Sequence, residues 1–161
     1  MRDDRPIGAE ACSRALETDP AGIEARLKEE LKKLGRKIVV LDDDPTGIQT
    51  VHDVYVYTDW KQETLEEAFQ DQNSMFFILT NSRGMTSVET ERVHREIARN
   101  LLSAARRARK DFLLVSRSDS TLRGHYPLET QTLREELEAS GGKRYDGRSF
   151  IPFSRRAAGL P

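Results

Sequence analysis

At 161 residues, with 37% hydrophobic and 33% charged residues, the chain has the size and composition of one ordered, soluble domain with room for an appended segment. Lys and Arg number 26 against 27 Asp and Glu, which leaves no global field to attract nucleic acid or an anionic membrane surface. The single cysteine, Cys12, excludes an internal disulfide and a cysteine-rich metal cluster; with no apolar run long enough to cross a bilayer, a cytoplasmic protein with no nucleic-acid or membrane partner is expected.

Residues 1–18 are polar and unpatterned, and are expected to be flexible. Asp19-Pro20 then offers an N-cap followed by a proline at the first helical position, and Ile23, Leu27, Leu31 and Leu34 recur at helical spacing up to Gly35. This predicts an amphipathic helix over 19–35, whose apolar stripe is suited to the domain or to a second copy, so a homo-oligomer is one expectation. One domain is expected over 36–153, with 154–161 an unpatterned tail.

Lys37 to Leu41 reads as a buried strand running into Asp42-Asp43-Asp44-Pro45-Thr46-Gly47. Adjacent carboxylates repel one another unless a cation, arginines or backbone N–H groups hold them, and Pro45 and Gly47 provide turn geometry to aim them. Asp53 to Thr58 alternates like a strand, and a helix is expected from Gln62 to Gln70 with Leu65, Ala68 and Phe69 inward. A second continuous apolar run, Met75 to Leu79, empties into Thr80-Asn81-Ser82-Arg83-Gly84.

Thr86-Ser87-Val88-Glu89 has the form of a capping box. The helix it opens carries Val93, Ile97, Leu101, Ala104 and Ala108 on one face and a row of arginines on the other, read as a solvated face diluted by Glu91 and Glu96. Phe112 to Val115 is the next buried strand, ending in Ser116-Arg117-Ser118-Asp119-Ser120-Thr121-Leu122-Arg123-Gly124. A helix from Pro127 to Ser140 follows, with Leu133 and Leu137 inward, then a Gly141-Gly142 break and a last strand at 149–153.

Strands alternating with helices predict an α/β fold of three layers: a mostly parallel sheet with helices on both faces, preceded by the extra N-terminal helix. Parallel strands deliver their polar turns to one edge, where open α/β sheets bind ligands. That edge would bring together Arg83, Arg117 and Arg123, whose planar forks suit a carboxylate, with Asp43, Asp44 and Asp119, which accept from hydroxyls. An anionic sugar requires that combination.

Taken together and in this order, Asp43-Asp44-Pro45-Thr46-Gly47, Asn81-Ser82-Arg83 and Asp119-Ser120-Thr121-Leu122-Arg123-Gly124 resemble the N-terminal, sugar-binding domain of the four-carbon acid sugar kinases. The resemblance implies that Asp43, Asp44, Thr46, Gly47, Asn81, Ser82, Arg83, Arg117, Asp119, Ser120, Thr121, Arg123 and Gly124 bind a tetronate such as threonate, erythronate or a 3-oxo-tetronate. It also implies ATP-dependent phosphorylation of the terminal hydroxyl, with Asp43 or Asp44 accepting its proton. ATP and Mg²⁺ would be held mainly by a C-terminal nucleotide-binding domain, a partner not contained in these residues, so the chain is expected to be incomplete for catalysis by itself and to bind neither. Arg117 stands where many members have Lys, and Thr50 where many have Asp, which leaves the identity of the sugar acid open.

Two readings from other classes compete. Asp42-Asp43-Asp44-Pro45-Thr46 after an apolar strand also fits the nucleophile loop of haloacid-dehalogenase-like phosphatases, with Asp42 as nucleophile and Asp44 as acid/base. A non-enzymatic sensor of a sugar acid would use the same pocket.

Overall fold

A computed structural model of the chain describes residues 20–44, 51–119, 123–141 and 144–149. The expected flexible segment 1–18, the Asp19 cap, the Pro45–Gly47 turn and the tail 154–161 lie outside them, as does the expected last strand apart from Ser149. The chain divides into two compact units, Met1–Gly35 and Arg36–Pro161.

In the first unit α1 spans Pro20–Lys33. Its last turn carries Lys32 and Lys33, where cations complement the carbonyl end of the helix dipole, and Glu24–Lys28 and Glu30–Lys33 pair along it at 2.7 and 2.9 Å.

The second unit is built on four parallel strands in the order β2-β3-β1-β4: β1 is Arg36–Asp42, β2 Tyr55–Tyr57, β3 Met75–Leu79 and β4 Asp111–Arg117. Between them run α2 (Gln62–Gln70) and α3 (Ser87–Ala108), and α4 (Leu128–Gly141) follows β4. This is the α/β class with a parallel sheet that the sequence pattern predicts. β2 is shorter than its alternating run suggests, because an edge strand pairs on one side only and here only Tyr55 to Tyr57 meet a partner.

The periodicities explain which faces are buried. Odd positions of β1 (Val39, Leu41) pair in register with even positions of β3 (Phe76, Ile78) and β4 (Leu114), so these residues share one sheet face. Leu65, Ala68 and Phe69 of α2 and Val93, Ile97, Leu101, Ala104 and Ala105 of α3 belong to the same buried cluster. Phe69 and Phe76 meet edge to face at 5.6 Å, an arrangement that aligns the positive ring edge with the negative face.

The box at the start of α3 forms as read: the Thr86 hydroxyl accepts from the Glu89 N–H while the Glu89 carboxylate accepts from the Thr86 N–H at 2.8 Å. Three arginines of the α3 row, Arg95, Arg99 and Arg107, pair with acids of the neighbouring helices. Arg99 grips Glu136 of α4 through Nε at 2.8 Å and Nη2 at 3.1 Å, and Arg107 reaches Glu66 of α2 at 2.7 Å. Arg99 is the first cause that holds the Glu136 carboxyl below the usual carboxylate range.

Candidate functional site

The strand order puts β1 between β3 and β4, so the three segments with polar residues leave three adjacent strands at the same edge. Asp42 lies opposite both Leu79 and Arg117 in the register. Two main-chain bonds continue the alignment past the strands: the Thr80 N–H donates to the Asp42 carbonyl at 2.8 Å and the Asp43 N–H to the Arg117 carbonyl at 3.4 Å.

Side chains then converge on Arg83. Its Nη1 lies 2.8 Å from Asp44 Oδ2, its Nη2 3.5 Å from Asp43 Oδ1 and its Nε 3.5 Å from Asp119 Oδ2. One guanidinium thus joins carboxylates from the β1 and β4 loops to the β3 loop. Burial works against the charge on Arg83, but the facing Asp43, Asp44 and Asp119 more than offset it. Asp119 also receives Arg123 Nε at 2.5 Å.

Asp43 is almost completely enclosed. Its Oδ2 accepts from the Asp119 N–H at 3.0 Å and from Ser118 Oγ at 3.5 Å, so it organises the β4 loop as well as meeting Arg83. Asp44 is the more accessible of the two, with 21% of its side chain exposed. Asp42, wholly buried, takes Arg117 Nη1 on Oδ1 at 3.1 Å, while its Oδ2 has no hydrogen-bond partner among the described residues. Burial pushes the Asp42 carboxyl up, with Arg117 the chief opposing influence.

Two backbone positions explain residue types in these loops. Asn81 has φ 53°, a left-handed conformation that asparagine tolerates better than most side chains, and it starts the turn Ser82–Gly84 that carries Arg83. At Gly124 a Cβ would press on Ser118 Oγ and would sit 3.3 Å from both the Asp119 nitrogen and Asp43 Oδ2. Glycine there lets the two limbs of the β4 loop close over Asp43.

Of the residues singled out in the sequence, Asp43, Asp44, Arg83, Asp119 and Arg123 are therefore brought into one charged cluster, with Asp42–Arg117 beside it. Asn81 is exposed next to it, and Gly124 packs against it. Ser82 is wholly buried and its hydroxyl donates to Glu129 of α4 at 2.7 Å. Thr46, Gly47, Ser120 and Thr121 lie outside the described residues.

Glu129, 2% exposed, is a buried polar residue that the sequence pattern did not single out; His94, read from the sequence as non-catalytic, is also buried, and its Nδ1 donates to the Thr90 carbonyl at 2.8 Å. A signal for Glu129 existed. It stands four residues before Leu133 and eight before Leu137, on the inward stripe of α4, where an acid needs a partner.

Chemically, the cluster combines acceptors for hydroxyl groups with forked donors for a carboxylate. Among the described residues no group of three or more His, Cys, Asp or Glu is arranged to hold a metal ion; the aspartates face guanidiniums instead.

No helix among the described residues is long and apolar enough to cross a membrane. No curated protein and no solved structure gives a significant match to the chain. A family model described as a sugar-binding N-terminal domain matches residues 38–155, which takes in most of β1, the elements from β2 to α4 and all three charged loops. The chain therefore belongs to the sugar-binding N-terminal domain family, the domain that its motifs resemble in the four-carbon acid sugar kinases.

Proposed function

We propose that this domain is the substrate-binding half of an ATP-dependent kinase that phosphorylates the terminal hydroxyl of a four-carbon sugar acid. The observation that carries the reading is the bridging of Asp43, Asp44 and Asp119 by Arg83, which makes one binding edge from three loops. A tetronate supplies both groups this edge is equipped to meet, a carboxylate and several hydroxyls.

Phosphoryl transfer depends mainly on positioning and charge stabilisation. In this proposal Arg83, Arg117 and Arg123 engage the sugar carboxylate and the aspartates orient its hydroxyls. Asp44 accepts the proton of the attacking hydroxyl, because its carboxylate is the accessible one, whereas Asp43 is enclosed and already accepts from the Asp119 N–H. ATP and Mg²⁺ belong to a nucleotide-binding partner domain.

The wholly buried Asp42, engaged by Arg117, favours this reading over a phosphatase in which Asp42 attacks phosphorus, since a nucleophile must reach its substrate. Calorimetry with threonate and erythronate, alongside an assay of ATP turnover, tests the proposal. Saturable binding of a tetronate by the chain without ATP turnover is expected. Tight ATP binding with no response to either tetronate, or Mg²⁺-dependent hydrolysis of a generic phosphate ester, would overturn it.

A further inference from the structure

Beneath the charged cluster lies a second, buried layer of polar contacts. Thr80 Oγ1 is 3.0 Å from the Asp42 carbonyl and 3.1 Å from Ser82 Oγ; Ser82 Oγ in turn donates to Glu129 Oε1 at 2.7 Å. Thr80, Ser82 and Glu129 are each at most 3% exposed. The three residues come from different places: Thr80 follows β3, Ser82 opens the turn Ser82–Gly84, and Glu129 is in the first turn of α4, just beyond the β4 loop. His94 of α3 backs the Glu129 carboxylate at 4.0 Å. A separate bond, from His125 Nε2 to the Met85 carbonyl at 2.9 Å, joins the same two loops on the other side of Arg83.

An acid buried at the start of a helix is expensive unless something specific holds it, and here the Ser82 hydroxyl does. Ser82 immediately precedes Arg83. Fixing Ser82 fixes the backbone from which the bridging guanidinium extends, and an error of an ångström there would part it from Asp43 and Asp119, both already 3.5 Å away.

We propose that Glu129 is a positioning residue for the sugar-acid site, acting through Ser82 to hold Arg83 in register with the β1 and β4 loops. Ser82 then serves the ligand indirectly, as a strut rather than a contact. The inference rests on the sugar-acid reading for its functional consequence, while its structural half stands without a ligand.

The test uses the full chain with threonate as the calorimetric probe and the Arg83 Nε–H resonance as a local reporter. Ser82→Ala removes the donor, and Glu129→Met removes the acceptor at similar length. Each should bind threonate about tenfold more weakly per folded molecule and displace the Arg83 resonance. Ser82→Thr and Glu129→Gln keep a hydroxyl and an acceptor oxygen, and should stay within about threefold of the parent. The double variant Ser82→Ala/Glu129→Met should lose no more than the weaker single, since both break one link.

Folded single variants that bind threonate like the parent, with Arg83 unmoved, would overturn the proposal. If Glu129→Met does not fold, Ser82→Ala decides; failure of both to fold also overturns it, because the contact would then support the whole domain rather than the site. If the parent binds no tetronate, the functional reading fails, and the Arg83 resonance in the free protein still decides whether the strut exists.

Discussion

Arg83 Nη1 lies 2.8 Å from Asp44 Oδ2, although the two residues leave different strands, β3 and β1. That guanidinium offsets the mutual repulsion of Asp43, Asp44 and Asp119, with Arg123 assisting at Asp119. Arg83→Ala is predicted to weaken threonate binding by about tenfold or more, and Arg83→Lys to restore only part, because a point charge cannot bridge three carboxylates as a planar fork does. Calorimetry on the two variants checks this; equal affinity for Arg83→Lys and the parent would contradict the bridging role.

Asp42 predicts a pH dependence with a definite sign. Burial raises its carboxyl in the folded state, so the folded chain prefers the neutral form. Below the unfolded value both states are protonated and the group is neutral to stability; as pH rises through the raised folded value, ionisation costs stability. Asp42→Asn has no such cost. Its stability relative to the parent should therefore climb as pH rises above the ordinary aspartate value of about 4, read by urea unfolding at each pH. A difference that stays constant with pH would show that Arg117 fully offsets the burial.

Gly124→Ala probes the closure of the β4 loop. The new methyl would meet Ser118, the Asp119 nitrogen and Asp43 together, and crowding of this kind costs about 1–3 kcal/mol. Part of that strain should appear as displaced Asp43 and Asp119, so the variant is expected to lose about tenfold in threonate affinity while remaining folded, by thermal melting and calorimetry together.

Much of this arrangement was legible in the residues, and the limits have physical causes. Met75–Leu79 and Gln62–Gln70 carry unbroken apolar runs or a helical stripe, and their bounds agree with the sequence reading residue for residue. Burial on a sheet face and a helix face leaves a periodic trace. The convergence of the three charged loops followed from parallel strands alone, but which acid meets which arginine did not. Arg117, grouped in the sequence with Arg83 and Arg123 for a sugar carboxylate, also pairs with Asp42, its partner in the strand register, a contact the linear order of residues does not give. Glu129 shows the complementary difficulty: its place on the inward stripe of α4 was readable, yet its partner Ser82 lies on another loop that only the tertiary fold brings near.

The core sets a reference for these effects. Ile97 is wholly buried on α3 within the cluster that joins the sheet face to the helices, and Ile97→Ala should cost about 2–5 kcal/mol in urea unfolding. Its threonate affinity per folded molecule should stay close to that of the parent, which separates loss of fold from loss of site.

The most direct test of the central claim is a map of backbone amide shifts as threonate is titrated into the chain. Changes gathered on residues 42–44, 81–84 and 117–124, saturating together, are the predicted result. Changes confined to a single loop, or located at the β2 edge around Tyr55 and Tyr57, would contradict it.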